Sequence, residues 1–287
     1  MNFQPKRMFG QNFLIDRNIA AKIVRLAGLT ENDIVWEIGP GRGILTTELL
    51  KIGCRLICYE IDRDLIPGLR ERFGERITLI TEDVLRADWR EVYSETEGQR
   101  VKIVANIPYN ITSPLLYKIT ENIGYFEKIC IMVQREVAER ITASPGIKSY
   151  GVMSIRIQHS FQVKKLFSVS RHLFRPQPNV DSEVIELIPR SDRVEPEDPI
   201  LYWQIIEASF QSRRKTLKNN LGNILSSSEL ERVSKLTSNR SVEELTSLGI
   251  RLDKPLNFDL GSRGESLDEK DFSNLYRIIR AIRQSRE

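Results

Sequence analysis

The chain contains 287 residues, with 43 lysines and arginines against 39 aspartates and glutamates, so its formal net charge is +4. Hydrophobic residues make up 40% and charged residues 29%, a globular composition that excludes a fibrous or wholly disordered protein. No apolar run approaches the ~20 residues that span a bilayer, and the N-terminus has no signal-peptide core, so we expect a cytoplasmic protein without a membrane partner. With only three scattered cysteines and two histidines, we expect no metal site.

Helical and strand patterns alternate between residues 16 and 134, which predicts a doubly wound α/β domain. Asp16 can cap the first helix, and Gly28 can end it. Ser113, followed by Pro114, is a candidate cap for a later helix. Strands are predicted at residues 34–38, 55–61, 77–80, 101–105, 126–133 and 183–188.

The polar stretch from Arg190 to Pro199 is the predicted linker between two domains, an α/β domain at residues 1–194 and an all-helical domain at 195–287. Asp198 and Pro199 are typical of a helix start. Two further pairs have capping-box spacing, Ser241 with Glu244 and Ser266 with Glu269. The last helix carries core spacing at Phe272, Leu275, Ile278, Ile279 and Ile282.

A glycine turn, Glu37-Ile-Gly39-Pro-Gly41-Arg-Gly43, follows the first strand of the predicted sheet. Its spacing differs from the dinucleotide fingerprint, and Pro40 removes an amide that a pyrophosphate would need, which favours a ligand without phosphates. Glu60 ends the second strand, where it can accept from ribose hydroxyls, and Asp83 ends the third, where it can accept from an adenine amine. Each acid alone is equally consistent with an ordinary strand end or turn cap. Together they predict an adenosyl ligand, S-adenosylmethionine.

The fourth strand ends in Asn106-Ile-Pro108-Tyr109 at the same edge of the sheet. The amine of adenine is a weak nucleophile, and an Asn oxygen together with a backbone carbonyl can accept its two hydrogens and so direct its lone pair. Pro108 restricts the backbone, and Tyr109 offers a ring on which a base can stack. Catalysis of this kind needs orientation and no strong base. The alternative is a simple exit from a strand into a turn, where Asn and Pro are common.

An ordered series of motifs resembles the KsgA/RsmA family of small-subunit ribosomal RNA adenine dimethyltransferases along nearly the whole chain. The resemblance implies a Rossmann-like methyltransferase domain, dependent on S-adenosylmethionine, followed by a small helical domain that binds RNA. It also implies dimethylation of two adjacent adenines near the 3′ end of 16S rRNA during small-subunit biogenesis. The matching stretches are Gly10–Leu14 with Asp16, Glu37–Gly41, Glu60–Asp62, Asn106–Asn110, Gln134–Val137, Phe174–Ser182 and Arg213–Leu217.

The resemblance further implies roles for single residues. Asn179 stands where the family usually has lysine, which puts in doubt an RNA phosphate contact at that position. The implied roles are Asn12 and Leu14 in the cofactor pocket, Gly39 beside its methionine part, Glu60 on the ribose, Asp83 on the adenine, Asn106 at the reaction centre, and Tyr109 and Phe174 around the target base.

Arg213, Arg214 and Lys215 form a basic run that by itself favours a solvated helix end, whereas the resemblance implies RNA binding. Lys6 and Arg7 are a smaller basic group of the same kind. The expected partner is the small ribosomal subunit with its rRNA, and we expect a monomer.

Three alternatives stay open from the sequence. An Erm-type enzyme of similar motifs would methylate large-subunit rRNA, although Gly39-Pro-Gly41 and the basic run favour the small subunit. A mainly non-catalytic assembly factor would bind the immature subunit without needing the methyl transfer. A dinucleotide oxidoreductase would bind NAD.

Overall fold

The computed structural model describes residues 11–239 and 242–285, so Lys6, Arg7 and the Ser241 cap lie outside the described residues. Two compact units are present. The first comprises the residues up to Thr142 with Ser160–Ser191, and the second comprises Ala143–His159 with the residues from Asp192 onward. The predicted division into two continuous domains at residue 194 is therefore corrected. The segment 143–159 joins the second unit because Ala143, Tyr150 and Ile155 pack into its core.

A mixed sheet of seven strands forms the centre of the first unit, in the order β4-β3-β2-β5-β6-β9-β7 once the strands are numbered along the chain. All neighbouring pairs from β4 to β6 are parallel, whereas β9 is antiparallel to both β6 and β7. The strands are β1 Phe13–Leu14, β2 Ile34–Ile38, β3 Arg55–Tyr59, β4 Thr78–Ile80, β5 Val101–Asn106, β6 Phe126–Gln134, β7 Phe161–Val169, β8 Phe174–Arg175 and β9 Ser182–Pro189. Strands β1 and β8 form a separate antiparallel pair.

The helices of the first unit are α1 Arg17–Ala27, α2 Ile44–Leu49, α3 Ile66–Phe73, α4 Trp89–Ser94, α5 Thr112–Glu121 and α6 Arg135–Ile141. The prediction for α1 is confirmed, because Asp16 accepts from the amides of Asn18 and Ile19 and Gly28 ends the helix with φ 64°. The prediction that Ser113 caps α5 is wrong. The chain enters α5 from a 3₁₀ turn at Tyr109–Ile111, so Thr112 already lies in the helix.

The six predicted strands are confirmed to within two residues at each end. Strand β7 was not predicted, because it lies at the edge of the sheet and carries exposed Lys164 and Lys165 rather than a clear apolar alternation. Strands β1 and β8 are two residues long, which is too short for any periodic pattern.

Helices make up the second unit: α7 Val152–Ser160, α8 Pro199–Phe210, α9 Leu217–Leu221, α10 Ser227–Asn239, α11 Val242–Ser247 and α12 Glu269–Gln284. The Asp198 cap is confirmed by its bond from the amide of Leu201. The capping box of α12 is formed by Asp268 and Asp271 instead of Ser266 and Glu269. The five predicted core residues of α12 are at most 1% exposed. No helix among the described residues is long and apolar enough to cross a membrane.

Gly43 at the start of α2 provides a test of the turn that precedes it. Its φ is 73°, and an added Cβ would lie 2.5 Å from the ring of the buried Phe73. We expect Gly43→Ala to lower the free energy of unfolding by roughly 2–4 kcal/mol, because left-handed strain and overpacking add. Urea denaturation measures the loss.

Gly28→Ala is the matched control for this prediction. Gly28 has a similar φ of 64°, but its nearest new neighbour would be 3.8 Å away, so only the backbone strain applies. We expect a loss of about 1 kcal/mol for the control. Equal losses in the two variants would contradict the overlap with Phe73.

Candidate active site

A cavity of about 270 Å³ opens at the carboxyl ends of β2, β3, β4 and β5 in the first unit. Parallel strands end at the same edge of a sheet, so the turns that follow them line one space. Ten of the predicted site residues line this cavity: Asn12, Leu14, Glu37, Gly39, Gly41, Glu60, Asp83, Asn106, Pro108 and Tyr109. The tertiary structure therefore brings together residues that lie almost 100 positions apart.

The glycine turn is pressed closely against the chain that carries the Asn106 motif. The amide of Gly39 donates to the carbonyl of Tyr59 at 2.9 Å, which ties the turn to the end of β3. Gly39 has φ 68°, and a Cβ there would lie 3.3 Å from two ring carbons of Pro108. A larger residue would push the turn and Pro108 apart, so both the positive φ and the close approach require glycine.

Glu60 directly follows β3, and both of its carboxylate oxygens accept hydrogen bonds from backbone amides. Oε2 accepts from the amide of Gly41 at 3.1 Å, and Oε1 accepts from the amide of Asp62 at 2.9 Å. The residue is 5% exposed, and this burial raises the pKa of Glu60 against the effect of the two amides. Each oxygen can accept a further hydrogen bond, so the carboxylate can also hold two hydroxyl groups of a ligand.

Glu37 is the buried acid of the cavity wall. The hydroxyl of Thr46 donates to its Oε2 at 2.7 Å, and the thiol of Cys58 lies 3.7 Å from the same atom. Burial raises the pKa of Glu37 to about 7, although both hydrogen bonds act in the opposite direction. Glu37 therefore changes between its neutral and its ionised form near neutral pH, and a cation in the cavity would favour the ionised form.

Asp83 follows β4 and combines the two interpretations that the sequence left open. Its Oδ1 accepts from the amide of Leu85 at 2.9 Å, so it caps the turn. It also lines the cavity, with Oδ2 3.8 Å from the guanidinium of the largely exposed Arg86. A turn cap and a ligand acceptor are compatible because a carboxylate has about four acceptor positions.

The N-terminal segment closes one side of the cavity through contacts that sequence reasoning did not find. The side-chain amide of Gln11 donates to Asp62 at 2.6 Å. The carbonyl of Asn12 accepts from the side-chain amide of Asn106 at 3.4 Å. Because the side-chain nitrogen of Asn106 is the donor in this bond, its side-chain oxygen is available as an acceptor. No local pattern signals a contact across 94 residues.

Tyr109 is held at the rim of the cavity by a residue to which the sequence assigned no role. Its hydroxyl is 2.7 Å from the hydroxyl of Ser182, which is fully buried at the start of β9. Ser182 pairs with Gln134 across β6 and β9, so the sheet fixes its position. Burial raises the pKa of Tyr109. The phenol is therefore anchored at its hydroxyl end, which restricts the position of the ring.

Phe174 does not line the cavity, and its contact with the target base stays a prediction. Strand pairing sets Phe174 opposite Leu14, and its side chain is fully buried in the core that also contains Leu14. Asn179 likewise lies outside the cavity, and its carbonyl accepts from Arg171 at 2.9 Å.

The basic run lies in the second unit, in the connection between α8 and α9. Arg213 is anchored, because its guanidinium donates to Glu265 at 2.8 Å and to the carbonyl of Lys148 at 2.6 Å. Arg214 and Lys215 are exposed. The three residues of the run therefore differ in their surroundings, with one bound to neighbouring segments and two directed to the surface.

Solved structures with this architecture define the class of the protein. The chain matches a dimethyladenosine transferase from Plasmodium falciparum with a TM-score of 0.70 and 26% identity, covering 92% of this chain and 95% of that chain. It matches the 23S rRNA methyltransferase ErmE in fold, with a TM-score of 0.65 and 24% identity over 94% and 100% of the two chains. The fold and the cavity define a Rossmann-like methyltransferase that uses S-adenosylmethionine.

Sequence comparison identifies the family. The model for ribosomal RNA adenine dimethylase matches residues 2–250. The ribosomal RNA small subunit methyltransferase A of Bacillus thuringiensis (strain Al Hakam) is 41% identical, and that of Bacillus mycoides (strain KBAB4) 40% identical, each over 95% of this chain and 90% of the relative. The chain belongs to the ribosomal RNA adenine dimethylase family. It is an enzyme that methylates adenine in ribosomal RNA.

The bond between Tyr109 and Ser182 predicts the effect of a single substitution. We expect Ser182→Ala to lower kcat for methyl transfer about fivefold, because a lost hydrogen bond of about 1 kcal/mol frees the Tyr109 ring. Binding of S-adenosylhomocysteine should change less than twofold. Steady-state kinetics and calorimetry measure the two quantities.

Ser168→Ala is the matched control, since Ser168 donates at 2.7 Å to Glu183, which is next to Ser182 on β9, and has no hydrogen bond to Tyr109. An unchanged kcat in Ser182→Ala, or an equal fall in Ser168→Ala, would show that the Ser182 bond does not position the ring.

Proposed function

We propose that this chain dimethylates the exocyclic amines of two adjacent adenines near the 3′ end of 16S rRNA, as a monomer in the cytoplasm, on the small ribosomal subunit during its biogenesis. The observation that carries the proposal is the convergence of Glu60, Asp83, Asn106 and Tyr109 on one cavity. The choice of the small subunit is supported by relatives of that name at about 40% identity over most of the chain.

The cavity fits the adenosyl part of the cofactor. Glu60 has acceptor capacity for the two ribose hydroxyls beyond its two amide bonds. Asp83 can accept from the adenine amine, between the apolar walls of Ile61 and Val84. Asn12 and Leu14 close the N-terminal side, and the Gly39 turn allows the methionine part to approach the backbone. When bound, S-adenosylmethionine supplies a methyl group on a positively charged sulfur.

The target amine is oriented by two acceptors on the Asn106 motif. One is the side-chain oxygen of Asn106. Of the two neighbouring backbone carbonyls, that of Pro108 already accepts from the amide of Ile111 at 3.1 Å and the hydroxyl of Thr112 at 3.3 Å. We therefore assign the carbonyl of Ile107 as the second acceptor. Pro108 has a fixed φ angle and restricts the conformation of the preceding Ile107, so the Ile107 carbonyl keeps its direction.

Tyr109 completes the site by stacking on the extruded target base. With both amine hydrogens bound, the nitrogen lone pair points away from the two acceptors and along the line of transfer. When bound, S-adenosylmethionine would supply the methyl group to this nitrogen, so that a C–N bond would form as the S–C bond breaks and one amine proton would pass to solvent. The chain contributes orientation and preorganised acceptors, which substitute for a strong general base.

The test compares two RNA substrates. The purified protein is incubated with labelled S-adenosylmethionine and either immature small subunits or protein-free 23S rRNA, and the modified nucleosides are mapped. We expect dimethyladenosine at two adjacent adenines of the small subunit. Label in 23S rRNA alone would assign the chain to the Erm type, and the absence of label in both would favour an assembly factor.

Asn106→Ala tests the assigned acceptor in the same assay. Removal of a preorganised acceptor should lower kcat at least about 100-fold. Binding of S-adenosylhomocysteine should stay within about threefold, because Asn106 acts mainly on the amine. Asn18→Ala, an exposed asparagine of α1, is the control and should retain full activity. Full activity of Asn106→Ala would contradict the assignment.

We further propose that the basic run contacts RNA phosphates, chiefly through Arg214 and Lys215. Both are exposed, and each phosphate contact releases counterions, so binding depends on salt. Arg213 takes a different part, since its bonds to Glu265 and to the carbonyl of Lys148 hold the connecting segment in place.

These roles predict two different responses. The double variant Arg214→Gln/Lys215→Gln should lower the slope of log affinity against log salt by about 1.5, measured by filter binding to immature small subunits, without changing thermal stability. Arg213→Gln should differ from the double variant by also lowering the thermal stability of the second unit. An unchanged salt slope in the double variant would exclude the phosphate contacts.

A further inference from the structure

We propose that Lys118 is a positioning residue for the cofactor site, because it holds the turn that presents Asp83. The proposal rests on the role of Asp83 as the adenine acceptor. Lys118 does not line the cavity, so it acts through the turn and not on a ligand directly.

The ammonium group of Lys118 binds three backbone carbonyls of the turn that follows Asp83. Its Nζ lies 3.0 Å from the carbonyl oxygen of Val84, 3.0 Å from that of Leu85 and 2.7 Å from that of Ala87. An ammonium has three donors and no acceptor, so these contacts use its full capacity. A single side chain thereby binds three backbone carbonyls of one turn.

The turn is held from its other side by Asp83 itself. The carboxylate of Asp83 accepts from the amide of Leu85, and the backbone carbonyl of Asp83 accepts from the amides of Arg86 and Ala87, both at 2.8 Å. Asp83 therefore satisfies the amides of the turn while Lys118 satisfies its carbonyls. Loss of the ammonium would leave the carbonyls of Leu85 and Ala87 to water, whereas that of Val84 would keep its bond from the indole of Trp89 at 3.1 Å. The turn, with the Asp83 carboxylate, could then move.

The position of Lys118 also relates the two halves of the site. Lys118 lies on α5, the helix that begins three residues after Tyr109. Its Nζ stacks 4.7 Å above the ring of the buried Trp89, so the stem has little freedom. Helix α5 thus carries the reaction motif at its start and a tether to the adenine-binding turn near its end.

Retaining this lysine has an electrostatic cost. Desolvation by burial lowers the pKa of Lys118, although Asp83, Asp88, Glu82 and Glu121 act in the opposite direction. The three carbonyls and the aromatic face replace the lost water. A solvated lysine on an outer helix face would show neither this burial nor three converging acceptors.

Lys118→Met tests the proposal, because it keeps the stem and removes the ammonium. Calorimetry should show S-adenosylhomocysteine binding about tenfold weaker, and hydrogen exchange should show faster exchange of the Leu85 and Ala87 amides. In the methyl-transfer assay, KM for S-adenosylmethionine should rise about tenfold while kcat changes less than twofold. Lys118→Gln keeps a shorter donor, so its affinity for S-adenosylhomocysteine and its KM should lie between those of the wild type and of Lys118→Met.

Lys128→Met is the matched control. Lys128 is another half-buried lysine of the first unit, bound to Glu186 at 2.6 Å and remote from the Asp83 turn. It should lower stability by a similar or greater amount and leave S-adenosylhomocysteine binding unchanged. If Lys118→Met and Lys128→Met both bind S-adenosylhomocysteine more weakly, each in proportion to its loss of stability, the positioning role is overturned.

Asp83→Ala separates failure of the proposal from failure of its premise. Weakened binding in Asp83→Ala with normal binding in a folded Lys118→Met would reject Lys118 and keep Asp83. Normal binding in both would reject the role of Asp83 on the adenine. Weakened binding in both, with faster amide exchange confined to the turn in Lys118→Met, is the result that we expect.

Discussion

The carboxylate of Glu60 joins the glycine turn after β2 to the end of β3, and the remainder of the site depends on this contact. Its two oxygens accept from Gly41 and Asp62, which lie on the two successive connections. Without that bridge, the turn would lose its fixed distance from Pro108, against which it packs. The acid that we propose to bind the ribose thus also joins two of the connections that line the cavity.

Two acids of the cavity, Glu37 and Asp83, have different surroundings. Glu37 is buried against Thr46 and Cys58 and has a raised pKa, whereas Asp83 lies near the guanidinium of Arg86 and the surface. A positively charged ligand inside an enclosed, largely apolar space gains from a nearby carboxylate that can ionise near neutral pH. The cavity therefore has in its wall a buried carboxylate whose ionised form a cation would favour, and near its edge the carboxylate that we propose as the acceptor for the adenine.

The reaction motif is stabilised from outside the cavity. Tyr109 depends on Ser182, and the neighbouring Asp181 accepts from the amide of Arg171 and from the guanidinium of Arg135. The amide bond from Arg171, with Arg135 nearby, lowers the pKa of Asp181, so the start of β9 remains charged and fixed. These contacts join the end of β6 to the start of β9, two strands whose residues do not line the cavity.

The amino-acid sequence by itself determined the positions of six strands of the sheet, the helix caps at Asp16 and Asp198, and eight residues of the cavity. These follow from local periodicity and from the rule that parallel strands end at one edge, which depend only on neighbouring residues. The roles of Asn12 and Leu14 rested on the family resemblance alone. The tertiary structure decided what the chain brings together from a distance. It placed segment 143–159 in the second unit, paired Phe174 with Leu14, and set Ser182 and Lys118 behind Tyr109 and Asp83. Such contacts join positions 31 to 160 residues apart, and no periodic pattern records them, because they arise only when separate elements pack.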